Sequence, residues 1–347
     1  MITEPATITR FAIKCASQPT AGSRRGWPHI PASGGLPNHT LDLATMDVRR
    51  LWQGGTRTAT EPEALVARIA EIARDTISIA VQTKNTALAL TAGRDSRAIL
   101  ALVSALGIDL DTYTVAHENA GLDVEVARDL AASLGLRHRT IPKLSASPAE
   151  QALWSYLNDH VVGGINAVMH PTMRCFGRSD AVLSGSFGEV GRGFYWTATD
   201  TATSQMNDAS LARRLDLKSE GPAVEALSAW VAALPPVDTL HALDLMYIEQ
   251  RLGCWAAPQQ VADPLLCAHP GPLQNLEIFD CLLSLPPDWR RKGRWVDEIV
   301  ATHCVKLRAM PYNRHRVAWR HAANLGRKAL SASRVRRGVR RSLVALE

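Results

Sequence analysis

The stretch LALTAGRDSRAILA, Leu88–Ala101, constrains the fold more than any other part of the chain. Leu88, Ala89 and Leu90 read as an apolar strand, and Thr91–Arg97 as a short polar loop. Ala98–Val103 then runs on as an apolar helix. A strand passing through a tight turn into a helix is half of a β-α-β unit, and its apolar run fits a strand covered on both faces. Such a unit needs parallel strands beside it.

The following sequence supplies them. The strand predicted at 87–91 leads to a helix at 96–106. A strand at 110–117 leads to a helix at 123–134, with Asp123 as a candidate N-cap. A third strand is read at 137–142, a helix at 149–163 and a fourth strand at 181–185. This rhythm predicts an α/β fold, a parallel sheet with helices on both faces. Beyond residue 200 the pattern is mainly helical, with helices at 208–216, 222–233, 239–253, 276–284 and 293–305. Upstream, 16–39 is rich in Pro, Gly, Ser and Ala and reads as loop. HTLDLATMDVRRLW reads as two short strands around a turn at Ala44–Asp47. A helix follows, with Thr60 as candidate N-cap, Pro62 and Glu63 in its first turn, and a stripe through Leu65, Ile69, Ile72 and Ile77.

Composition narrows the class. The 347 residues are 46% apolar and 21% charged, a globular balance. No apolar run reaches the ~18 residues of a membrane span, and the N-terminus lacks the apolar core of a leader. Together these predict a cytoplasmic protein. The six cysteines include no C-x-x-C pair, which argues for reduced, packed thiols rather than a zinc or redox motif. Charge is uneven: 314–347 carries ten Lys/Arg and one acid, leaving 29 basic and 32 acidic residues over 1–313. The net charge of +6 is therefore a property of the tail.

In an open parallel sheet, ligands bind beyond the carboxyl ends of the strands. Residues 91–97 would lie there, at a helix N-terminus that favours phosphate. Gly93 permits close backbone approach, and Thr91 and Ser96 add hydroxyls. Asp95 would repel an anion unless a divalent cation bridged it to phosphate oxygens. The competing reading is an ordinary strand–helix turn capped by Asp95 or Ser96. VLSGSFGEVGRGFYW, 182–196, also leaves a strand into a glycine-rich turn, with an acid at Glu189 and a base at Arg192. Two such turns on parallel strands could face one pocket, with Asp95 and Glu189 sharing a metal and backbone amides holding pyrophosphate.

Thr91–Ser96 resembles the S-G-G-x-D-S pyrophosphate loop of the ATP pyrophosphatase (PP-loop) superfamily. The turn at 184–195 resembles the matching segment of the asparagine synthetase family, S-G-x-G-x-D-E-x-x-x-G-Y. GLPNHTLDLATMDVRRLW (35–52) is similar to that family's junction between its glutaminase and synthetase halves. NLEIFDCLLSLPPDWRRKGRWVDEIV (275–300) is similar to the helical end of its synthetase domain. The resemblance spans about 35–313 and implies an adenine nucleotide alpha hydrolase-like fold using ATP and Mg2+. It divides the chain into a connecting segment 1–59, an ATP pyrophosphatase domain 60–313 and a basic tail 314–347. It also implies an acyl-adenylate intermediate attacked by an amine or ammonia. Carried over residue by residue, Thr91, Ala92, Gly93, Arg94, Asp95 and Ser96 would bind phosphates, with Ser184 and Gly185 facing them. Leu90 and Val115 would hold adenine. Asp95 and Glu189 would hold the metal, and Glu189, Arg192 and Arg294 would be catalytic.

The chain departs from that pattern. Ala92 replaces a loop glycine, Thr91 the first serine, and Ser186 an acid near the reacting intermediate. Arg192 stands where the family is apolar; it stays protonated and can only stabilise negative charge. A cysteine at position 2 and the glutaminase domain are missing, so nitrogen would come from free ammonia, an amine or a separate glutaminase. Aspartate is not the expected carboxylate. The alternatives are another adenylating activity, or a degenerate member that binds nucleotide or scaffolds a partner without turnover. His117 and His138 read as packing or hydrogen-bonding histidines. Glu118 and Asn119 are candidates for ribose or amine contact. Glu249 and Arg251 read as a surface ion network or a substrate contact. Cys175 matters only if sulfur chemistry operates. The tail reads either as a solvated basic helix or as a segment that meets an anionic membrane surface or acidic partner; no specific nucleic acid is predicted.

Overall fold

The computed structural model describes residues 39–41, 45, 48–52, 54, 60–118, 120–158, 160, 165–176, 179–215, 217, 221–256, 267–310 and 312. The loop read over 16–39, all but its last residue, and the tail 314–347 lie outside the described residues.

Two short strands, β1 (His39–Leu41) and β2 (Val48–Arg50), pair antiparallel, as their sequence predicts. Helix α1 (Pro62–Thr83) follows. Glu61, not Thr60, is its N-cap, and Pro62 opens it at a position where the missing N–H is not needed. The α/β unit then runs β3 (Thr86–Ala89), α2 (Arg94–Ala105), β4 (Asp111–Ala116), α3 (Gly121–Ser133), β5 (His138–Pro142), α4 (Pro148–Leu157), α5 (Ile165–Met169), a 3-10 segment (His170–Phe176) and β6 (Ala181–Leu183). A second 3-10 turn covers Gly188–Arg192. The C-terminal part is helical: α6 (Asp208–Arg214), α7 (Pro222–Ala232), α8 (Thr239–Met246), α9 (Leu276–Ser284), α10 (Pro287–Lys292) and α11 (Arg294–His303). Helix α8 passes directly into a π-helix, Tyr247–Ala256. The single helix expected over 293–305 is preceded by α10, which Gly293 separates from α11 through a positive φ of 64°.

The four strands are parallel, in the order β5-β4-β3-β6. The chain builds outward from β3 through β4 to β5, then returns to place β6 on the other side of β3. The order therefore reverses between β3 and β6, which is where such sheets open a crevice. Strand alternation sorts residues between two cores. Leu88, Leu90 and Leu183 join the main cluster, with α1, α2, α3, α9 and α11. Ala87, Tyr113, Ile141 and Val182 face the other way, onto a smaller cluster with Phe176 and Cys267. Among the described residues, this second face packs on Phe176, at the end of the 3-10 segment, and on Cys267.

Helix α2 is buried from Asp95 to Val103 because it is enclosed on several sides, with α11 and α1 packed on it. Among the described residues, no helix is long and apolar enough to cross a membrane. Cys175, Cys267, Cys281 and Cys304 form no disulfide.

Candidate functional site

Leu90 leaves β3 fully buried, and both its backbone groups belong to the sheet. Its N–H donates to the Tyr113 carbonyl at 2.8 Å, and its carbonyl accepts from Thr114 Oγ1 at 2.6 Å. Both Leu90 backbone groups, which the resemblance gives to adenine, thus already bond the neighbouring strand. Helix α2 starts at Arg94, two residues before the predicted start, because extended Gly93 provides the N-cap geometry. Arg94, Asp95 and Ser96 therefore form the first helical turn, and neither Asp95 nor Ser96 is the cap.

The backbone amides of the turn are already engaged. Thr91 N–H donates to Ser96 Oγ at 3.3 Å, and Gly93 N–H to Thr91 Oγ1 at 3.1 Å. Ala92 N–H donates to Asp123 Oδ1 at 2.8 Å. Asp123 thus caps the loop, not its own helix, whose N-cap is Ala120. The Ala92 methyl is fully buried in the main core. Side-chain oxygens occupy the amides that a phosphate was expected to take, and the glycine-to-alanine change at 92 fills packed space.

The second turn lies directly on the first. A Cβ on Gly185 would fall 2.3 Å from the Ser96 nitrogen, and one on Gly188 would fall 2.5 Å from Asp95 Cγ. Close packing between the two turns, rather than approach to a ligand, requires glycine at these two positions. Between them Phe187 adopts φ 75°, a strained value for a bulky residue. Ser184 donates to Ser186 Oγ at 2.9 Å.

Glu189 and Arg192 sit on the 3-10 turn that follows. One nitrogen of Arg192, Nη2, lies 2.5 Å from Asp95 Oδ2 and 3.3 Å from Glu189 Oε1. The two acids expected to share a metal share a guanidinium. Burial pushes the Asp95 carboxyl up to about 7; Arg192 opposes the shift and Glu189 adds to it. Asp95 Oδ1 is buried without a hydrogen-bond partner, but the Gly188 backbone lies against it. With Oδ2 on Arg192 and Oδ1 walled by Gly188, a magnesium ion bridging Asp95 and Glu189 does not fit. Among the described residues, no three His, Cys, Asp or Glu side chains gather into a metal site.

Tyr247, first residue of the π-helix, completes the surroundings. Burial, and then the Glu189 charge, raises its phenol well above its ordinary value. Phe194 stacks on its ring at 4.6 Å, and Arg251 lies over Phe194 at 5.0 Å. The 188–192 turn is anchored from below. Arg290 donates to the Val190 carbonyl at 2.8 Å while forming two 2.7 Å bonds to Asp244, all buried.

Not every predicted residue arrives. Arg94 turns away to Asp297 at 2.8 Å and lies over the Tyr312 ring at 4.2 Å, so its side chain binds the C-terminal helices and not the loop. Arg294 pairs with Asp288 at 3.1 Å in an exposed contact outside the Asp95–Arg192–Glu189 cluster. Val115 is half-buried against the smaller core. His138 bonds Thr112 at 2.9 Å, in keeping with a structural role. Glu249 is buried, not part of a surface network: it accepts from Arg50 at 3.0 Å and Trp230 Nε1 at 2.7 Å. The anchor Arg290–Asp244 carried no local signal, since its partners are 46 residues apart. Asp123 had one, an acid at the ligand end of β4, but capping of its own helix was the nearer explanation.

No family model matches the chain, and no curated protein matches it. Among solved structures, an NMN synthetase from Francisella tularensis overlaps 56% of this chain and 94% of its own, at 12% identity and a TM-score of 0.30. An NH3-dependent NAD synthetase from Campylobacter jejuni overlaps 56% and 96%, at 15% identity and TM-score 0.28. An NAD+ synthetase from Burkholderia pseudomallei overlaps 75% and 94%, at 17% identity and TM-score 0.23. Overlaps of this size assign neither a family nor an activity, and the functional argument stands on the site itself.

Proposed function

We propose that this chain binds ATP at the joint between β3 and β6 and uses it in a carbon–nitrogen ligase reaction. The observation that carries this reading is the contact of the two turns, Gly185 and Gly188 against Ser96 and Asp95, at the carboxyl ends of adjacent parallel strands. A substrate carboxylate oxygen would attack the α-phosphorus, the bond to the β-phosphate would break, and pyrophosphate would leave. An amine or ammonia would then attack the acyl carbon, release AMP and lose its proton. Thr91 and Ser186 present exposed hydroxyls, and Arg192 presents positive charge toward the departing phosphates. Glu189, with 34% of its side chain exposed, is the carboxylate placed to accept the amine proton. Acyl substrates other than aspartate fit Ser186 and Arg192 best.

A second reading is favoured by the engaged amides of residues 91–93: a nucleotide-binding member without turnover. Exchange of labelled pyrophosphate into ATP, run across a panel of carboxylates, separates the two. Carboxylate-dependent exchange supports the ligase. ATP binding without exchange for any carboxylate supports the second reading, and absence of ATP binding defeats both.

A further inference from the structure

We infer that Arg192 supplies the positive charge of this site in place of a protein-held divalent cation, so that a polyphosphate is received by a guanidinium. The inference rests on the ATP-binding reading above and specifies how that site neutralises its anion.

Three observations point the same way. First, the guanidinium occupies the position between the two acids: a single nitrogen reaches Asp95 at 2.5 Å and Glu189 at 3.3 Å. Second, Asp95 has no other accessible edge, because the Gly188 backbone covers Oδ1. A metal could enter only by expelling Arg192 and parting the two turns. Magnesium needs near-octahedral oxygen ligation at close range and keeps several waters, and the packed contact leaves no room for that shell. Third, the arginine retains donors for an anion. Its side chain is 28% exposed, and no bond of Nη1 to another described residue is seen. Nε is buried without a partner. Binding a phosphate through Nη1 would leave Nη2 on the acids, which then fix the guanidinium plane rather than compete for it.

Arg94 pairs with Asp297, Arg290 with Asp244, and Arg294 with Asp288, while Arg251 lies over the Phe194 ring. Among the described residues, Arg192 is the cation bonded to an acid of each turn.

The test uses the full chain and two probes. ATP is titrated calorimetrically in EDTA and again in magnesium, and Mn2+ alone is titrated while its free paramagnetic signal is followed. The native chain is expected to bind ATP with affinities within about threefold in the two buffers and to leave the Mn2+ signal unchanged. Arg192→Gln is expected to weaken ATP binding in EDTA by about tenfold, as befits the loss of a charge-assisted bond. Arg192→Lys should recover part of that loss. Loss of native-chain ATP binding by about tenfold or more in EDTA, or stoichiometric Mn2+ uptake by the native chain without nucleotide, overturns the inference but leaves the ATP site standing. Absence of ATP binding in both buffers overturns the site and the inference together. Unchanged ATP affinity of a folded Arg192→Gln chain in EDTA also overturns the inference, and Arg192→Lys carries that comparison if Arg192→Gln does not fold.

Discussion

Arg290 and Asp244 form a two-bonded ion pair with almost no exposure to solvent, and the same guanidinium holds the Val190 carbonyl in the middle of the 188–192 turn. Arg290 also lies over the Trp196 ring at 4.3 Å. The pair ties α8 and α10 to the turn that carries Glu189 and Arg192. Removing one partner strands a charge in the interior, which typically costs about 3–5 kcal/mol. Arg290→Met and Asp244→Leu should each lower the urea midpoint strongly. The double substitution should lose less than the two single losses combined. Additive losses in denaturation curves would show that the two residues do not act as a pair.

The glycines of the two turns rank by what surrounds them. A Cβ at 185 meets backbone, one at 188 meets the Asp95 carboxyl, and one at 93 meets only Thr91 Oγ1 at 3.1 Å. Gly185→Ala should be the most damaging, by about 1–3 kcal/mol for overpacking, and Gly93→Ala the mildest. Equal midpoints for all three variants in chemical denaturation would contradict the contact between the turns.

Asp95 gives the protein a pH signature. Its carboxyl is pushed up to about 7 in the fold, from 3.8 for an unburied group, so between those values the folded state holds a proton that the unfolded state has lost. The unfolding free energy from this group therefore falls as pH rises from about 4 toward 7. Asp95→Asn should flatten that part of the stability profile and, because Arg192 loses one of its two carboxylate partners, reduce ATP turnover more than it reduces stability. An unchanged slope in the variant, measured by urea titration at successive pH values, would contradict the assignment.

The basic tail sets a separate expectation. Its charge is concentrated over 314–347, beyond the described residues, whereas the two turns are built from residues before 193. Deleting 314–347 should leave ATP affinity within a few-fold and abolish any salt-sensitive binding of the chain to anionic vesicles or an acidic partner. Screening at a Debye length of roughly 8 Å at physiological ionic strength should produce the same loss in the intact chain as salt rises. Vesicle binding that survives the deletion would place the attraction elsewhere.

Much of the fold was legible because its signals are local. Apolar runs, periodic helices and the Pro62 start mark the elements, and alternation of strand and helix marks the parallel sheet. The junction of Thr91–Ser96 with 184–192 was also readable, since glycines and acids recur after two strands. What the glycines are for was not readable. Whether Gly185 admits a ligand or the backbone of Ser96 depends on how far apart two strands set their turns. The same limit hid the pairing of Arg192 with Asp95. The sequence shows a cation near an acid at 189, but the partner at 95 is 97 residues away. Asp123 misled for the opposite reason, because a local role at a helix start was available and the distant one, on Ala92, prevailed.

The end of the described chain has a consequence for the order of events during synthesis. Arg97 is wholly buried and donates to the Met310 carbonyl at 2.5 Å, while Tyr312 lies beneath the guanidinium groups of Arg94 and Arg97 at 4.2 and 4.0 Å. The helix that opens the candidate site is therefore closed by residues made 213 positions later. At about 5–20 residues per second, roughly 10–40 s separate Arg97 from its partner on the ribosome. Through that interval the bond from Arg97 to Met310 is missing, so a nascent chain stalled before Met310 holds all the residues of the two turns and still lacks the clasp that seats their helix.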